Sequence, residues 1–174
     1  MRTLVLGGAR SGKSAHAEGL LTDGTATYVA TARRIPGDAD WDARIARHVE
    51  QRPRGWRTVE TAEVAGLLRE AKNTDPPILV DDLATWLTGE LDDTHAWDGP
   101  LEPVRLRTHE LVEAVGNCRA RVVLVSAEVG LGVVPQTRSG RLFRDELGAL
   151  NAAVADACTE VLLLVAGLPV RLKG

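Results

Sequence analysis

The chain has 174 residues, the size of one domain with one substantial core, and no second domain is expected. Aromatics make up only 3% and apolar residues 44%, which suits helices packed closely on a sheet better than an aromatic-rich sandwich. A formal charge of −3 offers no general attraction to nucleic acid or an anionic membrane, so a small soluble substrate is favoured.

The first apolar run, "TLVLGG", predicts a buried strand that breaks into glycines and resumes as a helix over 14–21. Between them Gly7, Gly8, Ala9, Arg10, Ser11, Gly12, Lys13 and Ser14 satisfy G-x-x-x-x-G-K-[ST], placed after a strand and opening a helix as the mechanism of that motif requires. Glycines let backbone N–H groups turn inward on phosphate oxygens, Lys13 reaches the outer phosphates, and Ser14 is a magnesium ligand. His16, in the first turns of the helix, reads as a core-edge or solvent residue.

Further strands are predicted at "ATYVATA", "PPILVDD", "RVVLVSAE" and "EVLLLVAG", each continuously apolar as befits strands covered on both faces. Helical spacing marks 42–51, 62–72, 83–91, 104–117 and 141–157, giving a repeated β-α order. Gly167 and Pro169 divide the tail into two extended runs, predicting a closing hairpin or an antiparallel edge strand. The expected fold is α/β and P-loop NTPase-like (RecA-like), a single domain over 1–174 with a mostly parallel sheet and helices on both faces.

A phosphate loop needs an acidic partner at a neighbouring strand end, and "PPILVDDL" supplies two aspartates. Asp81 is the preferred magnesium carboxylate, while Asp82 suits the cap of the helix that starts near Leu83. Arginines concentrate at positions 33, 34, 44, 47, 52, 54 and 57, an anion-facing segment in a slightly acidic protein. On a helix ending before Pro53, Arg44, His48 and Arg52 share one face. Neighbouring positive charge disfavours imidazolium, so His48 would tend to stay neutral and able to attack phosphorus, yet by spacing alone it also reads as a solvated surface histidine. His95 and His109 sit in polar helical surroundings. Cys118 and Cys158 fit no zinc or disulfide spacing and read as reduced core residues. The opening run is too short for a signal peptide and no stretch approaches a membrane span, so a cytoplasmic protein is expected.

Taken together, "GGARSGKS", "YVATAR", "DARIARHVEQRPRGWRTVE", "ILVDDLATWL" and "LVSAEVGLGVVPQTRSGRLFRDELGALNAAVADACTEVLLLVAGLPVRLK" resemble the bifunctional adenosylcobinamide kinase / adenosylcobinamide-phosphate guanylyltransferase family of cobalamin biosynthesis over nearly the whole chain. The resemblance implies phosphorylation of the aminopropanol hydroxyl of adenosylcobinamide by a nucleoside triphosphate, GTP or ATP with Mg2+, then transfer of GMP from GTP through a guanylylated histidine that matches His48. It implies nucleotide contacts at Gly7 through Ser14, at Thr31, Ala32 and Arg33, at Val49, Glu50, Gln51 and Arg52, at Glu60 and at Asp81. Glu60 has the acceptors to read the guanine N1–H and amine, though an exposed strand-end glutamate needs no such role. Two departures stand out: the family often has Asn where this chain has Ala127, and Cys where it has Asp82. "EVGLGVVP", with Glu128, Gly130, Gly132 and Pro135, is a loop candidate for the corrinoid side. The family's trimeric assembly is implied too. Trp41, Trp56, Trp86 and Trp97 suit either an interface or packing within the subunit.

Two rival readings follow from the residues themselves. One is a kinase without guanylyl transfer, in which His48 only faces an anion. The other is a GTP-dependent regulatory module, which the absence of an N-K-x-D sequence weakens.

Overall fold

The computed structural model describes residues 1–21, 24–33 and 55–174. Seven strands form one sheet: β1 (Arg2–Gly7), β2 (Thr27–Ala30), β3 (Arg57–Glu60), β4 (Ile78–Asp81), β5 (Val122–Ala127), β6 (Glu160–Val165) and β7 (Leu168–Lys173). Their spatial order is β3-β2-β4-β5-β1-β6-β7, and each adjacent pair is parallel except β6 and β7. Five helices accompany them among the described residues: α1 (Lys13–Gly19), α2 (Val64–Glu70), α3 (Leu83–Asp93), α4 (Glu102–Asn117) and α5 (Arg138–Ala157).

The continuous apolar runs are explained by burial on both sheet faces. Leu4 and Leu6 of β1, Val80 of β4 and Leu124 of β5 face one core, which α2, α3, α4 and α5 cover. Val5, Leu79, Val123 and Val125 alternate to the opposite core, where Ala17 of α1 and Leu21 pack. On α5, Leu147, Leu150, Asn151 and Val154 are buried at helical spacing, so one polar side chain lies within an apolar stripe. Cys118 and Cys158 are free and buried, as expected.

The C-terminal hairpin is present. Ala166 and Gly167 both take positive φ, 51° and 81°, the backbone of a tight two-residue turn, and Gly167 adopts it without a Cβ clash. Pro169 falls on β7, an outermost strand, where a missing N–H interrupts no ladder beyond it. Strand β3 is not among the five apolar runs predicted from sequence. Among the described residues it borders β2 alone, and Arg57, Thr58 and Glu60 are exposed, so little apolar patterning marks it. The expected helix over 42–51 lies outside the described residues.

Candidate active site

Parallel pairing brings the C-terminal ends of the strands to one edge of the sheet. Glu60 of β3 is in register with Ala30 of β2, Ala30 with Asp81 of β4, and Ala127 of β5 with Gly7 of β1. The phosphate loop leaves β1 at that edge. A Cβ at Gly7 would collide with the Ser11 side chain and crowd Leu164 O at 3.2 Å, so a side chain there would force Ser11 to shift. Gly12 turns with φ of 87° and opens α1, and its carbonyl accepts from His16 N at 2.9 Å.

Ser14 Oγ donates to Asp81 Oδ1 at 3.3 Å, which joins the start of α1 to the end of β4. Tyr28 donates its hydroxyl to Asp81 Oδ2 at 2.6 Å. Burial pushes the Asp81 carboxyl above its ordinary range, and the Tyr28 hydrogen bond opposes this; Asp82 adds to the rise, while Ser14 and Lys13 hold it down. The half-buried Asp81 carboxylate and the Ser14 hydroxyl beside it are hard oxygen donors of the kind magnesium takes, so the residues fit that ion.

Asp82 has the other role anticipated for the aspartate pair. Its carboxylate accepts from Thr85 N at 2.7 Å and caps α3. Thr31 clamps the same point: its hydroxyl donates to Asp82 O at 2.7 Å and accepts from Asp82 N at 3.0 Å. That hydroxyl therefore joins β2 to β4. Arg33 points elsewhere. It forms a two-pronged ion pair with Asp93, the last residue of α3, and lies over Gly89, where an added Cβ would meet its guanidinium at 2.7 Å. Asp82 to Asp93 is about three helical turns, roughly 16 Å, so the Arg33 head group sits well along α3 from the phosphate loop.

Gly7 through Ser14 and Asp81 thus come together, Thr31 and Ala32 adjoin them, Glu60 lies at the same edge, and Arg33 is turned away. His48, Val49, Glu50, Gln51 and Arg52 lie outside the described residues, as does Trp41. His16 Nε2 is buried without a hydrogen-bond partner among the described residues, a core-edge placement. His95 sits in the turn after α3 with φ of 54° rather than in helical surroundings, which corrects that expectation: α3 ends at Asp93. His109 is exposed on α4, near Glu113. Trp86 is buried and donates to Ala62 O, and Trp97 donates to Asp92, so both pack within the chain.

Three contributors were not read from sequence: Tyr28, Asp93 and Asn151. The only tyrosine of the chain stands within an apolar strand, a placement that calls for a hydroxyl partner. A cleft opens beside the first turns of α3 and α5. Thr88, Trp97, Thr137, Ser139, Gly140 and Phe143 line about 490 Å³ of it, and Arg33, Ala84, Thr85 and Gly89 line an adjoining part of about 370 Å³.

A strand, glycine loop and helix facing a strand-end carboxylate define a P-loop nucleotide-binding protein. In fold the chain is similar to a prototypical ATPase from the type III secretion system of pathogenic bacteria, with TM-score 0.61 and 12% identity over 94% of this chain and 51% of that one. The family model of cobinamide kinase / cobinamide phosphate guanyltransferase matches residues 3–172. The bifunctional adenosylcobalamin biosynthesis protein CobP of Pseudomonas aeruginosa is 44% identical, aligned over 100% of this chain and 98% of its own. The corresponding CobU proteins of Escherichia coli and Salmonella typhimurium are 38% and 39% identical, each over 99% of this chain and 100% of their own. The chain belongs to the cobinamide kinase / cobinamide phosphate guanyltransferase family.

Proposed function

We propose that this enzyme phosphorylates the aminopropanol hydroxyl of adenosylcobinamide with a nucleoside triphosphate and then transfers GMP from GTP to the resulting phosphate, giving adenosylcobinamide-GDP. The observation that carries the reading is the junction of Ser14, Lys13 and Asp81 at the sheet edge, in a chain that the family matches from end to end. Backbone N–H groups of residues 8–13 hold the phosphates, and Lys13 neutralises the charge that develops whether attack comes at the γ or the α phosphorus. Ser14 and Asp81 are the residues that would hold Mg2+, which when bound shields the phosphate oxygens.

In the second reaction His48 is the nucleophile. Its imidazole nitrogen bonds to the α-phosphorus as pyrophosphate leaves, and the phosphate of the cobinamide substrate then displaces the imidazole to take GMP. Glu60 reads guanine. It stands four strand spacings from β1, roughly 19 Å at about 4.8 Å each, a span suited to the far end of an extended nucleotide. Thr31, Ala32 and Val49 through Arg52 serve as the remaining nucleotide contacts, and ATP or GTP serves the kinase step. The "EVGLGVVP" loop, with the α3–α5 cleft beside it, takes the corrinoid side.

The enzyme acts in the cytoplasm as a homotrimer. Exposed Val165, Leu168, Val170 and Leu172 on the β6–β7 hairpin supply apolar surface for such a contact.

The test supplies adenosylcobinamide with magnesium and GTP and follows the corrinoid by mass spectrometry. A phosphorylated species that is converted to the GDP derivative supports the reading; a phosphorylated species that accumulates unconverted restricts the enzyme to the kinase, and an unchanged substrate overturns it.

A further inference from the structure

Strand β5 lies between β1 and β4, so its C-terminal end emerges between the phosphate loop and Asp81. The residue at that point is Glu128. Its backbone N–H donates to Gly7 O at 3.1 Å, which ties it to the first glycine of the loop. Its carboxylate Oε1 accepts from Gly130 N at 2.6 Å, and Oε2 has no hydrogen-bond partner among the described residues.

The strand end is held from beneath by Asn151, the polar residue within the apolar stripe of α5, which is 5% exposed. Ser126 Oγ donates to Asn151 Oδ1 at 2.6 Å, and Asn151 Nδ2 donates to Ala127 O at 3.0 Å. A buried amide is costly unless its groups are bonded, and both bonds are spent on the two residues that precede Glu128. The other carboxylates of this edge have other work. Asp81 is bonded to Ser14 and Tyr28, Asp82 caps α3, and Glu60 lies three strands from β5.

We propose that Glu128 is the general base of the phosphorylation step. The inference rests on the kinase reading given above. As the acceptor hydroxyl oxygen bonds to the γ-phosphorus, its proton passes to the Glu128 carboxylate; the bond from the γ-phosphorus to the β,γ-bridging oxygen breaks, and the nucleoside diphosphate leaves with those electrons. The proton then returns to solvent. Guanylyl transfer needs no such base, because imidazole attacks through a lone pair and the phosphate acceptor is already an anion. Glu128 therefore separates the two activities.

Glu128→Gln is the informative variant, because its amide oxygen still accepts from Gly130 N and the loop turn is kept. Phosphorylation of adenosylcobinamide should fall about 10²–10⁴-fold in kcat with little change in KM, while α-labelled GTP still marks the protein. Glu128→Asp should restore part of the rate. A Glu128→Gln rate within about threefold of wild type, or an equal loss of both transfers, overturns the proposal and leaves Glu128 a loop-shaping residue. A wild-type chain that phosphorylates nothing removes the functional reading and this proposal together; an active wild type with an equally active variant removes this proposal alone.

Discussion

Asp81 meets two opposing demands. Burial suits a neutral group, whereas binding a cation needs the charged one, which the hydrogen bonds from Tyr28 and Ser14 favour. Its carboxyl is raised above the ordinary value of 3.8, so ionising it costs folding stability as pH climbs from that value through the raised one. Asp81→Asn removes the cost. Without magnesium, the variant and the wild type should melt alike near the ordinary aspartate value, and the variant should melt higher at neutrality, while both transfer rates fall and more magnesium is needed. Calorimetry across pH checks this, and a variant that melts lower at neutrality contradicts it. Lys13→Ala should impair both transfers, by about 10²-fold or more, since one ammonium serves both phosphorus centres; normal turnover of either separates the sites. The capping role of Asp82 was legible in sequence because a helix start follows directly on the strand end. The support from Tyr28 and Asn151 was not, because such hydrogen bonds join residues 53 and 25 positions apart.

Elements α3 and α4 are joined by a charge pair between a buried carboxylate and a half-exposed guanidinium. Glu90 of α3 is 2% exposed, and Arg107 of α4 places Nε 3.1 Å from its Oε2. Burial raises the Glu90 carboxyl, and Arg107 opposes the rise most strongly. Arg107→Ala leaves a buried carboxylate without that partner and should cost about 1–3 kcal/mol at neutral pH, with the loss shrinking in acid as Glu90 protonates. Urea melts at two pH values test it, and a loss that does not depend on pH contradicts it. Asp82→Asn, whose amide oxygen can still cap α3, should change stability little. The central strands were legible because burial on both faces makes them uniformly apolar. Strand β3 was not, since its exposed Arg57, Thr58 and Glu60 carry no such pattern and its pairing to β2 places it.

At the scale of the whole molecule, the two proposed chemistries meet at one sheet edge. The proposed trimer predicts three chain masses in sedimentation, and Leu168→Glu together with Val170→Glu should shift the population towards single chains; a monomeric wild type contradicts that proposal. Fold class and phosphate loop were legible because a local motif sits in a regular β-α order. Arg33 lying along α3 was not, because its partner Asp93 is 60 positions away. The central claim is that GMP passes through the protein itself. The direct measurement incubates the protein with magnesium and GTP labelled at the α or, separately, the γ phosphate, denatures it, and counts what stays bound. The account predicts an acid-labile adduct that keeps the α label, loses the γ label and is absent from His48→Ala, which should still bind nucleotide and retain some kinase activity. A His48→Ala protein that still carries the α label, or a wild type that carries none, contradicts it.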